Sequence, residues 1–282
     1  IPLVFRPDGT ATQDSTPILE ELERDHPEPS LHPQDSSLRF LSELIEEYGD
    51  EWVNKLMFRA RWAEPPDQKN RGGTLARGML DGHPLRFFAP IVARFIVRRM
   101  IPRMSFAGAN QNNTPLLIDS FETLVEVLNT HLATRAYLLG ARPSFGDFGL
   151  WGQLHQCFID PSNKAILVHK GPSVVAWIER MLNPSVEGEF ETFDALAPTL
   201  RPLFAREIGP RFLAWDAANA EALRKEKPQT ELEMGNQLYF QKTFKYPAAT
   251  LGILKNKYAA ASGDSRLREF LEDTGCLPYL VS

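Results

Sequence analysis

Residues 140–158 read GARPSFGDFGLWGQLHQCF, and the order of residues in this stretch decides how the middle of the chain folds. Gly140 and Pro143 end whatever precedes them. Ser144 and Asp147 stand at the spacing of a capping box, in which the cap hydroxyl takes the amide three residues on and that residue's carboxylate takes the cap amide, with Asp in place of the usual Glu or Gln. Phe148, Trp151, Leu154 and Phe158 follow at helical spacing and predict the buried side of a helix. Ser144 and Asp147 are thereby folding devices, and Asp147 is not a catalytic acid.

The same helical period extends in both directions. Upstream, Ile118, Phe121, Val125, Leu128 and Leu132 predict one helix, and Leu38, Leu41, Ile45, Tyr48 and Trp52 predict a long one. Between them, Phe87, Ile91, Phe95 and Ile96 predict another helix, flanked by a Pro, Gly and charge-rich loop over 64–82 and a second loop over 108–114. Downstream, helical pieces are predicted over 196–223, 247–261 and 265–273. A polar stretch over 224–241 separates the first two, with a weak hairpin signal at 232–244. These pieces amount to a helical bundle.

The opening differs. Leu3, Val4 and Phe5 favour a strand, Pro7-Asp8-Gly9 is turn chemistry, and 10–13 can return as a second strand. Asp14-Ser15-Thr16-Pro17 is a helix start, in which Asp14 or Ser15 can cap and Pro17 falls in the first turn. Pro27, Pro29 and Pro33 then forbid continuation and mark a linker.

A chain of 282 residues can bury one large core or two modest ones. Its net charge of −5 supplies no basic field for a phosphate backbone, so nucleic acid is not an expected partner. The most apolar stretch, 87–101, is interrupted by Pro90, Arg94, Arg98 and Arg99, so no membrane span is expected. Two cysteines cannot form a disulfide scaffold and fit a cytoplasmic protein.

A hairpin entered through Ile1-Pro2, a polar pair capping a helix, a proline linker and an all-helical bundle carrying a Ser-x-x-Asp box together resemble the glutathione transferase family. The resemblance runs from Ile1 to about Leu182. It implies a mainly α chain that opens inside a thioredoxin-like domain: 1–29 as the C-terminal part of that glutathione-binding domain, 30–37 as linker, 38–182 as the helical domain, and 183–282 as a mainly helical extension. By the same resemblance, Ile1 and Pro2 (a cis proline) hold the cysteinyl part of glutathione, while Asp14 and Ser15 meet its γ-glutamyl end. Physical chemistry agrees, since helix N-terminal amides and an adjacent hydroxyl suit a carboxylate.

The implied activity is transfer of the glutathione thiolate to a small-molecule electrophile in the interdomain cleft, by a cytoplasmic homodimer without metal. The family's activating Tyr, Ser or Cys lies near the first strand, at positions with no counterpart in this sequence, so no catalytic residue is assigned. Glu47, Glu51, Asn54 and Phe58 form the expected wall of the electrophile's pocket. Two alternatives stand beside this reading: a cysteine-type glutathione-dependent oxidoreductase, and a non-enzymatic relative that binds a partner through its surface or extension.

Other residues point elsewhere. The six histidines show no metal-ligand spacing. Arg94, Arg98, Arg99 and Arg103 form a basic face, read as solvated. Cys157 is expected to be a buried small side chain; Cys276, near the end, has room to be exposed and reactive, but nothing nearby argues for it.

Overall fold

The computed structural model describes residues 2–281. Ile1, and with it the Ile1–Pro2 bond, lies outside them.

The chain opens with β1 (Leu3–Phe5) and β2 (Ala11–Gln13), an antiparallel pair in which Val4 faces Thr12, followed by α1 (Ser15–Asp25). The non-helical stretch after α1 ends at Asp35, whose carboxylate accepts from the amides of Ser37 (2.8 Å) and Leu38 (3.1 Å) and so starts α2 (Ser36–Tyr48). A π-helical turn, Gly49–Val53, carries α2 without a break into α3 (Asn54–Ala63). Leu38, Leu41, Ile45, Tyr48 and Trp52 are all buried, as their spacing predicts.

This rod is crossed by α7 (Phe145–Phe158) at a contact made of glycine. A Cβ on Gly149 would lie 2.7 Å from Glu46 Cα, and one on Gly49 would lie 2.7 Å from the Gly149 carbonyl carbon. The two backbones therefore touch, and the Gly146 amide donates to Ser42 Oγ at 2.9 Å across the crossing. This contact shifts the buried face of α7 from the one predicted. Gly146, Gly149, Leu150, Leu154 and Cys157 are buried, whereas Phe148, Trp151 and Phe158 are only half-buried.

The predicted capping box starts this helix. Asp147 Oδ2 accepts from the Ser144 amide (2.8 Å) and hydroxyl (2.7 Å), and Oδ1 accepts from the Leu138 amide and Trp177 Nε1, both at 2.9 Å. One buried carboxylate thus joins the start of α7, the loop after α6 (Thr114–His131) and α9 (Pro172–Arg180), with α8 (Pro161–Lys170) packed between α7 and α9.

The C-terminal hundred residues complete the core. α10 (Phe193–Leu203) runs through a π-helical segment, Phe204–Leu213, into α11 (Ala214–Arg224). Phe212 packs on Tyr48 and Trp215 on Trp52, and the Glu207 carboxylate accepts from Tyr48 and Ser120 while pairing with Arg211 at 2.8 Å. The weakly signalled second hairpin is present as β3 (Gln229–Met234) and β4 (Gln237–Lys242), a stretch otherwise read as polar coil. Asn113 Nδ2 donates to the Phe240 carbonyl at 2.8 Å, and Gln241 Nε2 to the Phe106 carbonyl at 2.8 Å, fixing the hairpin on the loop before α6. α12 (Lys245–Ala261) lies on α2, and α13 (Ser265–Asp273) and α14 (Leu277–Leu280) close the end of the bundle.

One expectation fails around the middle of the chain. The presumed loop at 64–82 contains α4 (Pro65–Met79), in which Pro65 and Pro66 occupy the first turn and Gly72 lets α5 (Ala89–Met100) approach closely. Asp67 and Arg71 anchor α4: Asp67 Oδ1 accepts from the Ser162 amide (2.9 Å), and Arg71 donates to Gln156 (2.7 Å). The helix predicted through Phe87, Ile91, Phe95 and Ile96 is present as α5 with a short turn before it, and its apolar face is uncovered: Phe87, Ile91 and Phe95 are 68%, 62% and 64% exposed. Helical period shows that a face is apolar without showing that anything covers it.

Candidate functional site

Asp14 and Ser15 meet at the N-terminus of α1. Asp14 is the cap, its Oδ1 accepting from the Ser15 amide at 2.8 Å, and Ser15 is the first helical residue. Asp14 holds φ 85° and ψ 147°, a region that costs a residue with a side chain about 1–3 kcal/mol. Three contacts maintain it: that cap bond, its amide to the Pro2 carbonyl (3.0 Å), and Oδ2 accepting from Tyr246 Oη (2.9 Å). Pro2 and Asp14, nominated separately, are therefore adjacent.

The Ser15 hydroxyl is loosely held, 3.5 Å from Asp14 Oδ1 and 3.4 Å from Asp50 Oδ2. Asp50 and Glu51 lie in the π-helical turn, which breaks the α-helical register and lets both leave the core-facing stripe. Thr16 reaches the same rod, donating to Glu46 Oε1 at 2.6 Å. The start of α1 thus rests on one turn of the rod, over Glu46 and Asp50.

Tyr246 continues the site. It lines a cavity of about 240 Å³ together with Glu51, Asn54, Lys55, Trp215 and Phe244. Of the four predicted wall residues, Glu51 and Asn54 line this cavity, Glu47 lies one turn before Glu51, and Phe58, a turn beyond Asn54, is half-buried and not among the lining residues.

The electrostatics of this wall come from burial. Desolvation raises the pKa of Glu46, helped by Asp50, and that of Asp50 itself, helped by Asp14; it lifts Glu47 to about 7. Glu51 is raised by burial against the pull of Lys55, whose ammonium is pushed down to about 8 by its own burial and sits 3.5 Å from the Trp215 ring centroid. Asp216, fully buried with neither carboxylate oxygen hydrogen-bonded, is lifted to about 8 by burial and then by Glu47 and Glu51.

Asp50, Lys55, Asp216 and Tyr246 escaped the sequence reading. Tyr246 is 232 residues from its partner Asp14, and nothing local announces that pairing. Asp50 did carry a signal: it follows Tyr48-Gly49 on an otherwise regular apolar face, where a glycine breaks the pattern.

Neither cysteine belongs to this site. Cys157 is buried as expected; Cys276 is buried too, because the turn before α14 folds it against the Phe204 carbonyl and Gly209. Burial pushes both thiols up to about 12, which leaves them protonated at neutral pH.

No helix among the described residues is long and apolar enough to cross a membrane. No curated protein was found to match the chain. Residues 87–180, from the start of α5 to the end of α9 and including the Ser144–Asp147 box, match the family model of the glutathione S-transferase C-terminal domain. The chain is mainly helical, and its residues 87–180 are similar to the C-terminal domain of the glutathione S-transferases.

Proposed function

We propose that the chain binds the γ-glutamyl end of glutathione at the N-terminus of α1 and presents the tripeptide's thiol to an electrophile in the cavity lined by Glu51, Asn54 and Tyr246, acting as a glutathione-dependent transferase. The observation that carries this reading is the mixed polarity around Ser15. A half-buried helix N-terminus and a loosely held hydroxyl suit a carboxylate, and Asp14 and Asp50 beside them suit an ammonium. An α-amino acid end group presents both charges on one carbon. Strain stored at Asp14 fits a residue placed for a ligand rather than for the helix.

In the transfer, the glutathione sulfur forms a bond to the electrophilic carbon as the leaving group or π-electron pair departs, and the thiol proton goes to solvent or a base. The chain's own contribution is positioning: Pro2, Asp14 and Ser15 hold the tripeptide, and Glu47, lifted to about 7, is partly protonated at neutral pH one turn before Glu51. Residues 1–29 are read as part of a thioredoxin-like domain, an assignment supported by the exposure of Leu3, Val4 and Phe5 on a two-stranded ribbon. The homodimer and cytoplasmic location implied by the family complete the proposal. The cysteine-type oxidoreductase is disfavoured for the cysteines of this chain, since both are buried with raised pKa values. The non-enzymatic alternative is favoured by one observation only, the uncovered face of α5.

Ser15→Ala tests the site. Because Asp14 is the cap, losing the Ser15 hydroxyl is expected to change stability by less than about 0.5 kcal/mol. If it binds the carboxylate, calorimetric titration should show glutathione affinity weakened about tenfold or more. Equal affinity in the two proteins rejects the site.

A further inference from the structure

The α4–α5 hairpin carries charge of one sign. Between Pro65 and Phe106 stand eight Lys and Arg against two Asp, Asp67 and Asp81, in a chain whose net charge is −5. Arg71 and Asp67 are turned inward and anchored, as described above. Arg86, Arg94, Arg98, Arg99 and Arg103 are exposed, and none is paired with a carboxylate among the described residues.

These cations frame an apolar ridge. Ile91, Phe95 and Arg99 recur every fourth residue along α5, with Phe87 in the 3-10 turn before it and Arg103 in the 3-10 segment after it, so the sequence is apolar toward the N-terminal end and basic toward the C-terminal end. Arg86, Arg94 and Arg98 form the adjacent row and, with Lys69 and Arg77 of α4, line a groove of about 850 Å³ floored by Ala93 and Val97. Phe88 packs on Phe87 at the tip, 4.3 Å between ring centroids. The ridge projects, its three apolar side chains each more than 60% exposed.

We propose that this face docks the chain peripherally on an anionic phospholipid bilayer, with Phe87, Ile91 and Phe95 entering the headgroup region and the arginines meeting lipid phosphates. A projecting apolar ridge flanked by long cations is the arrangement by which an amphipathic helix lies in a membrane interface. Charge complementarity selects an anionic surface, worth about fivefold in partitioning per Lys or Arg near the membrane. The acidic remainder of the molecule is repelled by the same surface, so only this face can approach it. A second copy is a poor occupant: a symmetric contact would set Arg94, Arg98 and Arg99 against the same three residues with no carboxylate on the face but Asp81. The proposal does not depend on glutathione binding.

The test is flotation with vesicles of phosphatidylcholine alone or with about one-third phosphatidylserine, at about 0.15 M salt. The chain is expected to float only with anionic vesicles. The Arg94→Gln/Arg98→Gln variant should partition about thirtyfold less, and the Ile91→Ser/Phe95→Ser variant about tenfold less or below. All substituted side chains are exposed, so both variants should keep the parent's unfolding midpoint, which checks that they fold. Failure to float with anionic vesicles, or flotation that survives both variants, overturns the proposal. So does a dimer by light scattering that Ile91→Ser/Phe95→Ser dissolves, which would give the face to a second copy. Arginine-dependent binding of soluble polyglutamate without binding to vesicles would give it to an acidic protein, and equally overturns it.

Discussion

Two helix pairs in this molecule are built by the same device and put to different use. At the crossing of α7 with the rod, and again where α5 meets α4, a glycine removes the side chain that would hold two backbones apart. At the first crossing the apolar residues beside the contact are covered: Tyr48, Trp52, Leu150 and Leu154 are buried, and Asp147 ties in three segments. At the second, the inner side is anchored by Asp67 and Arg71 while the outer side leaves Phe87, Ile91 and Phe95 to solvent. Close approach of helices sets where a pair sits. What its outer face carries decides whether it is core or surface, and the two faces here have opposite composition.

The largest test of the comparison falls on Asp147. Replacing it with Ala leaves the Leu138 amide, the Ser144 amide and Trp177 Nε1 buried without acceptors. With each such donor costing about 1–3 kcal/mol, the expected loss is roughly 3–5 kcal/mol, measured as the shift in urea midpoint. A loss near 1 kcal/mol, the value for an ordinary surface cap, would show that the box is less central than its contacts imply.

Glycine substitution compares the pairs directly. Alanine at 149 would meet backbone, Glu46 Cα at 2.7 Å and its carbonyl oxygen at 2.8 Å, which cannot yield without parting α2 from α7. Alanine at 72 would meet the Val97 methyl at 2.7 Å, a side chain at the edge of a groove, with the nearest backbone atom at 3.2 Å. Gly149→Ala is expected to cost about 2–3 kcal/mol and Gly72→Ala about 1 kcal/mol or less, helix propensity offsetting part of each. Equal costs by urea denaturation would remove the distinction between them.

The sequence was legible wherever a local rule had a local consequence. The box at Ser144 and Asp147 and the buried stripe of α2 emerge as read, because a cap or a stripe depends on neighbours within a few residues. The reading failed at α4, where Pro65, Pro66 and three glycines pass as loop residues until α5 is in place to be packed against. At α5 the helix emerges as read, but periodicity says nothing of cover, and its apolar face lies open. In the candidate site, the adjacency of Pro2, Asp14 and Ser15 follows from one hairpin and was legible. Tyr246, Asp50 and Asp216 come from distant segments joined only by the packing of α11 and α12, and no local pattern names them.

Acidity separates the regions too, for the body buries carboxylates while the hairpin exposes cations. Glu47, held near 7, and Asp216, held near 8, bind protons in the folded state that an unfolded carboxyl has already released, so their contribution falls as pH rises from about 4.5 to 8. His131, depressed to about 4, acts oppositely, its folded form binding fewer protons, and that effect ends near pH 6.5. Above that the carboxylates act alone until Lys55 begins to lose its proton near 8. With the buried Glu207 also lifted to about 8, stability should therefore drop by roughly 2–4 kcal/mol between pH 6.5 and 8. Urea midpoints across this window should show the drop in the parent and lose Asp216's share of it in Asp216→Asn, Glu47 and Glu207 supplying the rest. A flat profile in the parent would mean that Asp216 is ionised and paired in solution.

The smallest expected effect is the most discriminating. At the rod, truncating a buried aromatic such as Trp52 removes packing on Trp215 and Tyr239 and leaves a cavity, at a cost of about 3–5 kcal/mol. Phe95 has the same apolar character and the same helical spacing, and it sits within the matched family domain. Its side chain is 64% exposed, so Phe95→Ser removes little buried area and should move the urea midpoint by less than about 0.5 kcal/mol. A value within that bound confirms that the ridge contributes nothing to folding and is free for an outside surface. A loss of 2 kcal/mol or more, on the scale of burying a whole Phe side chain, would mean that Phe95 is covered in solution. If that loss also deepened as protein concentration was raised, the cover would be a second copy, because only association makes stability depend on concentration.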